Sequence, residues 1–264
     1  MKTRIITITD CSDVASNEIR ASIISTLEKV NAEDRVEIEP FIFCKEFSLV
    51  NGAFMIRLLA ESYNPQNTVF LVIVNGLSTA RVERARIVGC TKNGFRFVGE
   101  NTGALSWLTE DFGVKTVFDF SRQGLDGKDF ISFGGKYFHA PKAALIASGE
   151  NLFQEGNIVF PESRLASCYI PEGMVVHVDN FGVSKIKQSF SQIKEGDQVK
   201  VFVNGEFFTR AIFTNSMKNL PDNTWAVYKG SSFGLTEFGC VRNVHASKSY
   251  INIEDIITFQ KGEM

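Results

Sequence analysis

Four short segments gather the residue types that can do chemistry. Val69-Phe-Leu-Val-Ile-Val-Asn-Gly-Leu-Ser-Thr-Ala-Arg81 runs from an apolar stretch into a small-residue loop that ends in arginine. A β-branched apolar run bounded by turn formers reads as the central strand of an α/β sheet. Ligands of such sheets bind beyond the carboxyl ends of the strands, so Asn75 and Arg81 stand where polar contacts are made. Thr9-Asp10-Cys11-Ser12 follows another strand-like run. Asp10, a carboxylate at a strand end, accepts hydrogen bonds well; the other reading is that it caps the next turn. Arg81 likewise has a bland alternative, a surface pair with Glu83. Glu100-Asn-Thr-Gly103 and Ser132-Phe-Gly-Gly-Lys-Tyr-Phe-His-Ala-Pro141 look like two further parts of the same site.

The elements that must position these residues alternate in type. Residues 5–9 read as a strand and residues 16–30 as a helix, with Ile19, Ile23, Ile24, Leu27 and Val30 at helical spacing and Ser16 as the expected N-cap. Residues 36–43 form the next expected strand, residues 52–62 a helix broken by Asn64-Pro65, and residues 69–74 the third strand. A hairpin is expected at residues 86–90 and 95–98 around Asn93-Gly94. A short helix over 104–111 ends at Gly113, and a strand follows over 115–118. The last helix, residues 140–148, has Pro141 in its first turn and stops at Gly149. Alternating strands and helices predict a mainly parallel sheet with helices on both faces.

From about Pro161 the pattern changes. Residues 175–179, 183–186, 198–203, 207–213, 225–229 and 256–259 read as short strands, with Asn204-Gly205 as a hairpin turn. The predicted fold is therefore α/β, a parallel-sheet domain over residues 1–160, followed by a small antiparallel β-barrel domain over residues 171–264.

The bulk numbers exclude several classes. The 264 residues are 44% hydrophobic and 22% charged, an ordinary globular composition. A net charge of −2 without a basic stripe gives nucleic-acid binding no electrostatic support. No apolar run reaches the roughly 20 residues of a membrane helix, and Met1-Lys-Thr-Arg leads straight into a strand, so the expected location is cytoplasmic. The five cysteines show no paired spacing and are expected to be reduced and mostly buried. No metal-ligand spacing is apparent, and no metal is expected. The 24 Phe imply a large aromatic core or apolar subunit contacts. His177 and His245 lie in the β half and read as structural.

The order of motifs resembles the S-adenosyl-L-methionine (SAM) hydroxide adenosyltransferases, a family that includes the adenosyl fluoride and chloride synthases. Thr9-Asp10-Cys11-Ser12 is similar to the family's Thr-Asp-Phe-Gly, and Asn75-Gly-Leu-Ser-Thr-Ala-Arg81 to Asp-Pro-Gly-Val-Gly-Thr-x-Arg with the proline deleted. Glu100-Asn-Thr-Gly103 resembles Asp-Asn-Gly with one insertion, and Phe133–Pro141 resembles Phe-His-Gly-Arg-Asp-x-Phe-Ala-Pro. Asp179-Asn-Phe-Gly182 and Ser232-Phe-Gly-Leu-Thr-Glu237 are similar to Asp-x-Phe-Gly-Asn and Ser-x-Gly-x-Leu-Glu in the β domain.

The resemblance implies a homotrimer with sites between the α/β domain of one subunit and the β domain of the next. SAM or adenosine is the implied ligand, as substrate and without a further cofactor. The implied binding residues are Asp10 on the ribose hydroxyls, Phe47 and Phe181 as aromatic neighbours, Asn101, Asp179 on the methionine ammonium and Ser232 on its carboxylate. The hydrolytic members use an Asp, an Arg and a His to orient water. Here Asn75 replaces the Asp and Gly134 the His, leaving Arg81. Glu39 lies near the family's second-strand Asp, and Ile42 replaces the His that follows it. Val183 replaces the Asn after Phe-Gly. His139 is a candidate substitute base; a helix-start histidine without catalytic duty is the other reading. The implied activity is SAM cleavage by water through a degenerate triad of Asn75, Arg81 and Gly134. Adenosyl transfer to a halide, and ligand binding without chemistry, are the alternatives.

Overall fold

The computed structural model describes residues 2–76, 85–121, 132–151, 158–189, 193–243 and 250–261. The chain divides into two compact units, Met1–Cys168 and Tyr169–Met264. The first unit runs β1 (Thr3–Thr9), α1 (Val14–Lys29), β2 (Val36–Ile38), β3 (Ile42–Phe43), α2 (Leu49–Leu59), β4 (Thr68–Ile73), β5 (Arg86–Thr91), β6 (Arg96–Glu100), α3 (Ser106–Phe112), β7 (Val114–Asp119), α4 (Ala140–Ser148) and β8 (Ile158–Val159). Its sheet has the order β2-β1-β4-β6-β5-β7-β8, with β3 also on β1. The pairs β1–β2, β1–β3, β1–β4 and β4–β6 are parallel. The pairs β5–β6, β5–β7 and β7–β8 are antiparallel.

Both faces of this sheet are buried, which is why β1 and β4 read as unbroken apolar runs. Ile5, Val69 and Leu71 face a core shared with Ile19, Ile23 and Leu27 of α1 and Ala143, Ala144 and Ala147 of α4. Ile6, Ile8, Phe70 and Val72 face the opposite core, which holds Ile56 of α2 and Leu108 of α3. Burying each such large apolar side chain contributes roughly 1.5–3 kcal/mol, and the period of two fixes the strand register.

Local chemistry corrects several sequence-based boundaries. The cap of α1 is Asp13, whose carboxylate accepts from the Ala15 N–H, not Ser16, which lies one turn inside. The single strand expected over residues 36–43 is two, β2 and β3, divided at Pro40, whose missing N–H cannot serve a ladder. Helix α2 begins earlier than expected because Ser48 accepts from the Asn51 N–H.

The second unit carries β9 (Val175–Val178), β10 (Ser184–Ile186), β11 (Gln198–Val203), β12 (Glu206–Phe213), β13 (Trp225–Lys229), β14 (Thr236–Cys240) and β15 (Ile257–Lys261). They form one curled sheet, β15-β11-β12-β13-β14-β10-β9. Among the described residues it is a half-barrel rather than the closed antiparallel barrel expected. The edge strands β9 and β15 are joined only beside their ends, by the isolated bridge Met174–Ile256 and backbone bonds such as Val175 N–H to the Asp255 carbonyl. One pair, β12–β13, is parallel. Much of the aromatic content fills cores: Phe54, Phe70, Phe95, Phe97, Phe120 and Phe238 are fully buried, and Trp225 stacks on Phe238 at 4.9 Å. A buried ion pair, Lys185 Nζ to Glu237 Oε1 at 2.7 Å, spans β10 and β14. All five cysteines are free, but only Cys44 and Cys240 are buried, so the expectation of mostly buried thiols is corrected. No described helix is long and apolar enough to cross a membrane.

Candidate functional site

Three adjacent parallel strands, β1, β4 and β6, end at one edge of the first unit's sheet. Asp10 follows β1, Asn75 lies two residues beyond β4, and Glu100 closes β6. Strand β5 runs the other way, so its first residue, Arg86, lies at the same edge, opposite Glu100. A π-helical turn, Gly135–His139, leads into α4 and closes the space from one side. Together these elements line a cavity of about 340 Å³ that includes Asp10, Asn75, Arg86, Glu100, Gly134 and His139. This is the crevice at the carboxyl ends of parallel strands where α/β ligands bind.

Asp10 organises the floor. Its Oδ2 accepts from the backbone N–H of Phe47 at 3.2 Å and of Asn75 at 3.1 Å. It therefore ties two loops together instead of capping the turn after it, and Oδ1 faces the Cys11 thiol at 3.9 Å. Phe47 is half exposed and holds a positive φ of 59°, as does Phe133 at 64°. A left-handed backbone at an aromatic residue is costly and persists where surrounding contacts impose it; at Phe47 the bond to Asp10 is such a contact.

His139 is the most unusual group. It is 2% exposed, and neither ring nitrogen has a hydrogen-bond partner. Burial, and then the Arg86 guanidinium, push its pKa down to about 4, against a weaker opposing pull from the Gly134 backbone, so the imidazole is neutral at pH 7. Arg86 itself lies over the Phe138 ring at 5.0 Å. The thiols nearby are poor nucleophiles. Burial, reinforced by Asp10, raises Cys11, and pushes Cys44 up to about 12.

The other sequence-based candidates fall in different places. Arg81 and Glu83 lie outside the described residues, as does His245. Asn101 is buried beside the cavity edge, but its carboxamide donates to the Arg164 carbonyl and accepts from the Ala166 N–H, clamping the chain that follows β8. Asp179 Oδ1 accepts from the N–H groups of Phe181 and Val183, the geometry of a turn aspartate, and Phe181 is exposed. Ser232 is buried in the second unit, where its carbonyl accepts from the Leu235 N–H. Glu39 sits at the surface with Arg4. Among these, Asp10, Phe47, Asn75 and Gly134 are brought together. Glu100 and Arg86 complete the lining; the segment that begins at Glu100 was placed in the site from sequence, but Asn101 was chosen from it, and Arg86 was not singled out. The signal for Glu100 was available: it closes a strand parallel to β4, as Asp10 closes β1.

A parallel-sheet unit with carboxylates at the ends of two strands that flank a third, followed by a β unit, defines an α/β class with a strand-end crevice. The sequence profile of the SAM hydroxide adenosyltransferase N-terminal domain matches residues 5–156, and the chain belongs to that family. A curated relative, the (R)-S-adenosyl-L-methionine hydrolase of Methanocaldococcus jannaschii, is 25% identical over 204 residues, covering 75% of this chain and 72% of its own. Two solved structures share the fold. A conserved protein from Thermotoga maritima superposes with a TM-score of 0.79 at 20% identity, covering 97% of this chain and 100% of its own. A conserved protein from Thermus thermophilus gives 0.71 at 18% identity, covering 98% and 100%.

Proposed function

We propose that the protein cleaves S-adenosyl-L-methionine with water, releasing adenosine and methionine. The observation that carries this reading is the convergence of Asp10, Asn75 and Glu100 from three adjacent parallel strands on one cavity of about 340 Å³, in a member of the SAM hydroxide adenosyltransferase family. The relative named above is itself a SAM hydrolase. Asp10 Oδ1, which faces only the weak Cys11 thiol donor, is left for ribose hydroxyls while Oδ2 holds the loops at Phe47 and Asn75. The leaving group is a neutral thioether, so no general acid is needed. The site must position C5′ and hold water in line with the C–S bond.

The replacement of the family's Asp and His by Asn75 and Gly134 favours a second reading, a protein that holds an adenosyl ligand without turning it over. Transfer to a halide is a third, since a halide needs desolvation and no base. One experiment separates them: incubation with SAM, with and without chloride, followed by chromatography and by melting of the protein. Adenosine in excess over protein supports hydrolysis, and a 5′-halo product supports halide transfer. Intact SAM with a raised Tm supports binding alone. The family reading extends the proposal to a homotrimer, for which mass photometry is expected to give three times the 29.4 kDa chain mass.

A further inference from the structure

We infer that His139 and Glu100 together seat the attacking water in the space left by Gly134. The inference rests on the hydrolytic reading above and assigns the water-handling role to two residues of this chain outside the degenerate triad.

The space is defined by geometry. A Cβ placed on Gly134 would lie 3.7 Å from His139 Nδ1, 3.4 Å from its Cε1 and 3.8 Å from Glu100 Oε1. One methyl-sized position therefore faces a ring nitrogen and a carboxylate oxygen at once. Neither is committed to a side chain: no well-formed hydrogen bond reaches either His139 nitrogen, although the Gly134 backbone lies near enough to pull on the ring, and among the described residues no hydrogen bond or ion pair takes the Glu100 carboxylate. A buried polar ring without a partner is costly, because the lost hydration is not replaced. A water at this position gives Nδ1 a partner. The π-helical turn that carries His139 is a form found mostly at functional sites. It ends at His139, which lines the cavity.

The chemistry balances with these groups alone. Water donates one hydrogen to Glu100 Oε1 and the other to His139 Nδ1, which leaves a lone pair free for C5′. As the oxygen–C5′ bond forms, the C5′–S bond breaks and its electron pair leaves with methionine as a neutral thioether. The proton shed by the new hydroxyl passes to the Glu100 carboxylate, which ends as a carboxylic acid and loses the proton to solvent on product release. His139 stays neutral and orients. Asn75 and Asp10 line the same cavity and, in the proposed reaction, hold the adenosyl group.

The test uses the full chain and three variants, Glu100→Gln, His139→Gln and Gly134→Ala. Gly134 has φ −53° and ψ −29°, which any residue adopts, and its added methyl meets ordinary contacts. Gly134→Ala therefore fills the seat without disturbing the fold. For Glu100→Gln and Gly134→Ala the expected result is a kcat for adenosine formation lowered about 100-fold, with KM within about 3-fold and the SAM-induced rise in Tm retained, the signature of lost base catalysis. His139→Gln is expected to follow them; the other two carry the test if burial makes that variant unstable. Wild-type turnover with kcat unchanged in Glu100→Gln and Gly134→Ala overturns the inference and leaves the hydrolytic reading intact. A raised KM at unchanged kcat also overturns it, since the groups would then bind substrate and not water. A wild-type protein that forms no adenosine overturns both.

Discussion

Asp10 has one duty in the fold and one under the proposed function, and their separation is the sharpest residue-scale question. One carboxylate oxygen is spent on the Phe47 and Asn75 N–H groups, so truncation removes a tie between loops and, on the proposed reading, a ligand contact. Asp10→Asn keeps a carbonyl oxygen for the two N–H groups but loses the charge. Charge-assisted hydrogen bonds contribute about 1.5–3 kcal/mol each. Asp10→Asn is therefore expected to weaken SAM binding by about 10–100-fold, measured by isothermal titration calorimetry, while Tm without ligand moves little. Asp10→Ala should abolish ligand-induced stabilisation entirely. Retained SAM stabilisation in Asp10→Ala would remove the ribose assignment. The place of this site was legible because strand-end position is a local property: a buried apolar run predicts its own terminus, and the family resemblance then picked out Asp10 and Asn75 there. His139 was only half legible. Its position beyond Gly134 is plain in sequence, but the absence of partners at both ring nitrogens is a product of packing among β5, β6 and the π-helical turn. Asn101 shows the converse. The motif it belongs to suggested ligand contact, whereas the folded chain commits its carboxamide to Arg164 and Ala166.

At the scale of elements, β1 and β4 read well from sequence because burial on both faces makes them continuous apolar runs, whereas the short, partly exposed β2 and β3 were expected as one strand and β8 was not expected. Strand β14 was not expected either. Its sequence, Thr236-Glu-Phe-Gly-Cys240, is buried throughout, yet it includes a charged residue and a glycine, and neither fits an apolar or alternating pattern. Glu237 belongs there only because Lys185 of the neighbouring β10 lies 2.7 Å away, with side chains 8% and 12% exposed, and because Tyr228 donates to the same carboxylate. That pairing is invisible until β10 and β14 are adjacent. Removing one partner strands a buried charge, at a cost of about 3–5 kcal/mol. Glu237→Ala is thus expected to destabilise the second unit by that amount in urea denaturation, and a loss under about 1 kcal/mol would mean that water reaches the pair. The cap of α2 offers a smaller, cleaner case. Ser48 is buried and accepts from the Asn51 N–H, so Ser48→Ala should cost about 1 kcal/mol, read as a lowered urea midpoint at unchanged slope. It should also loosen the approach to Phe47, one residue before the cap.

Across the whole molecule, each unit contains a histidine whose pKa is lowered, the buried His139 and the partly buried His177, and this sets a common response to acid. Burial is the largest cause for both. Arg86 adds to it at His139 in the first unit and Lys185 at His177 in the second, where Asp179 opposes. Glu100 and Asp10 line the cavity into which His139 opens. A histidine whose folded pKa lies below its unfolded value binds protons more readily when unfolded, so stability rises with pH across the interval between the two values. For His139 the interval runs from about 4 to the ordinary 6.5. Its contribution is complete above that range and is lost as pH falls through it. At 1.36 kcal/mol per pKa unit the loss approaches roughly 3 kcal/mol. Carboxylates titrate in the same region, so the informative quantity is the difference between wild type and His139→Gln, in which those groups cancel. Urea unfolding at a series of pH values from about 7.5 to about 4 should show wild type losing stability relative to the variant as the solution is acidified, with nearly all of the change below about pH 6.5. A difference that stays constant over this range would mean that the His139 ring is exposed to bulk water in the free protein, not to a single seated one. The seat beside Gly134 would then be open to bulk solvent and unable to hold one water in line with a reacting carbon.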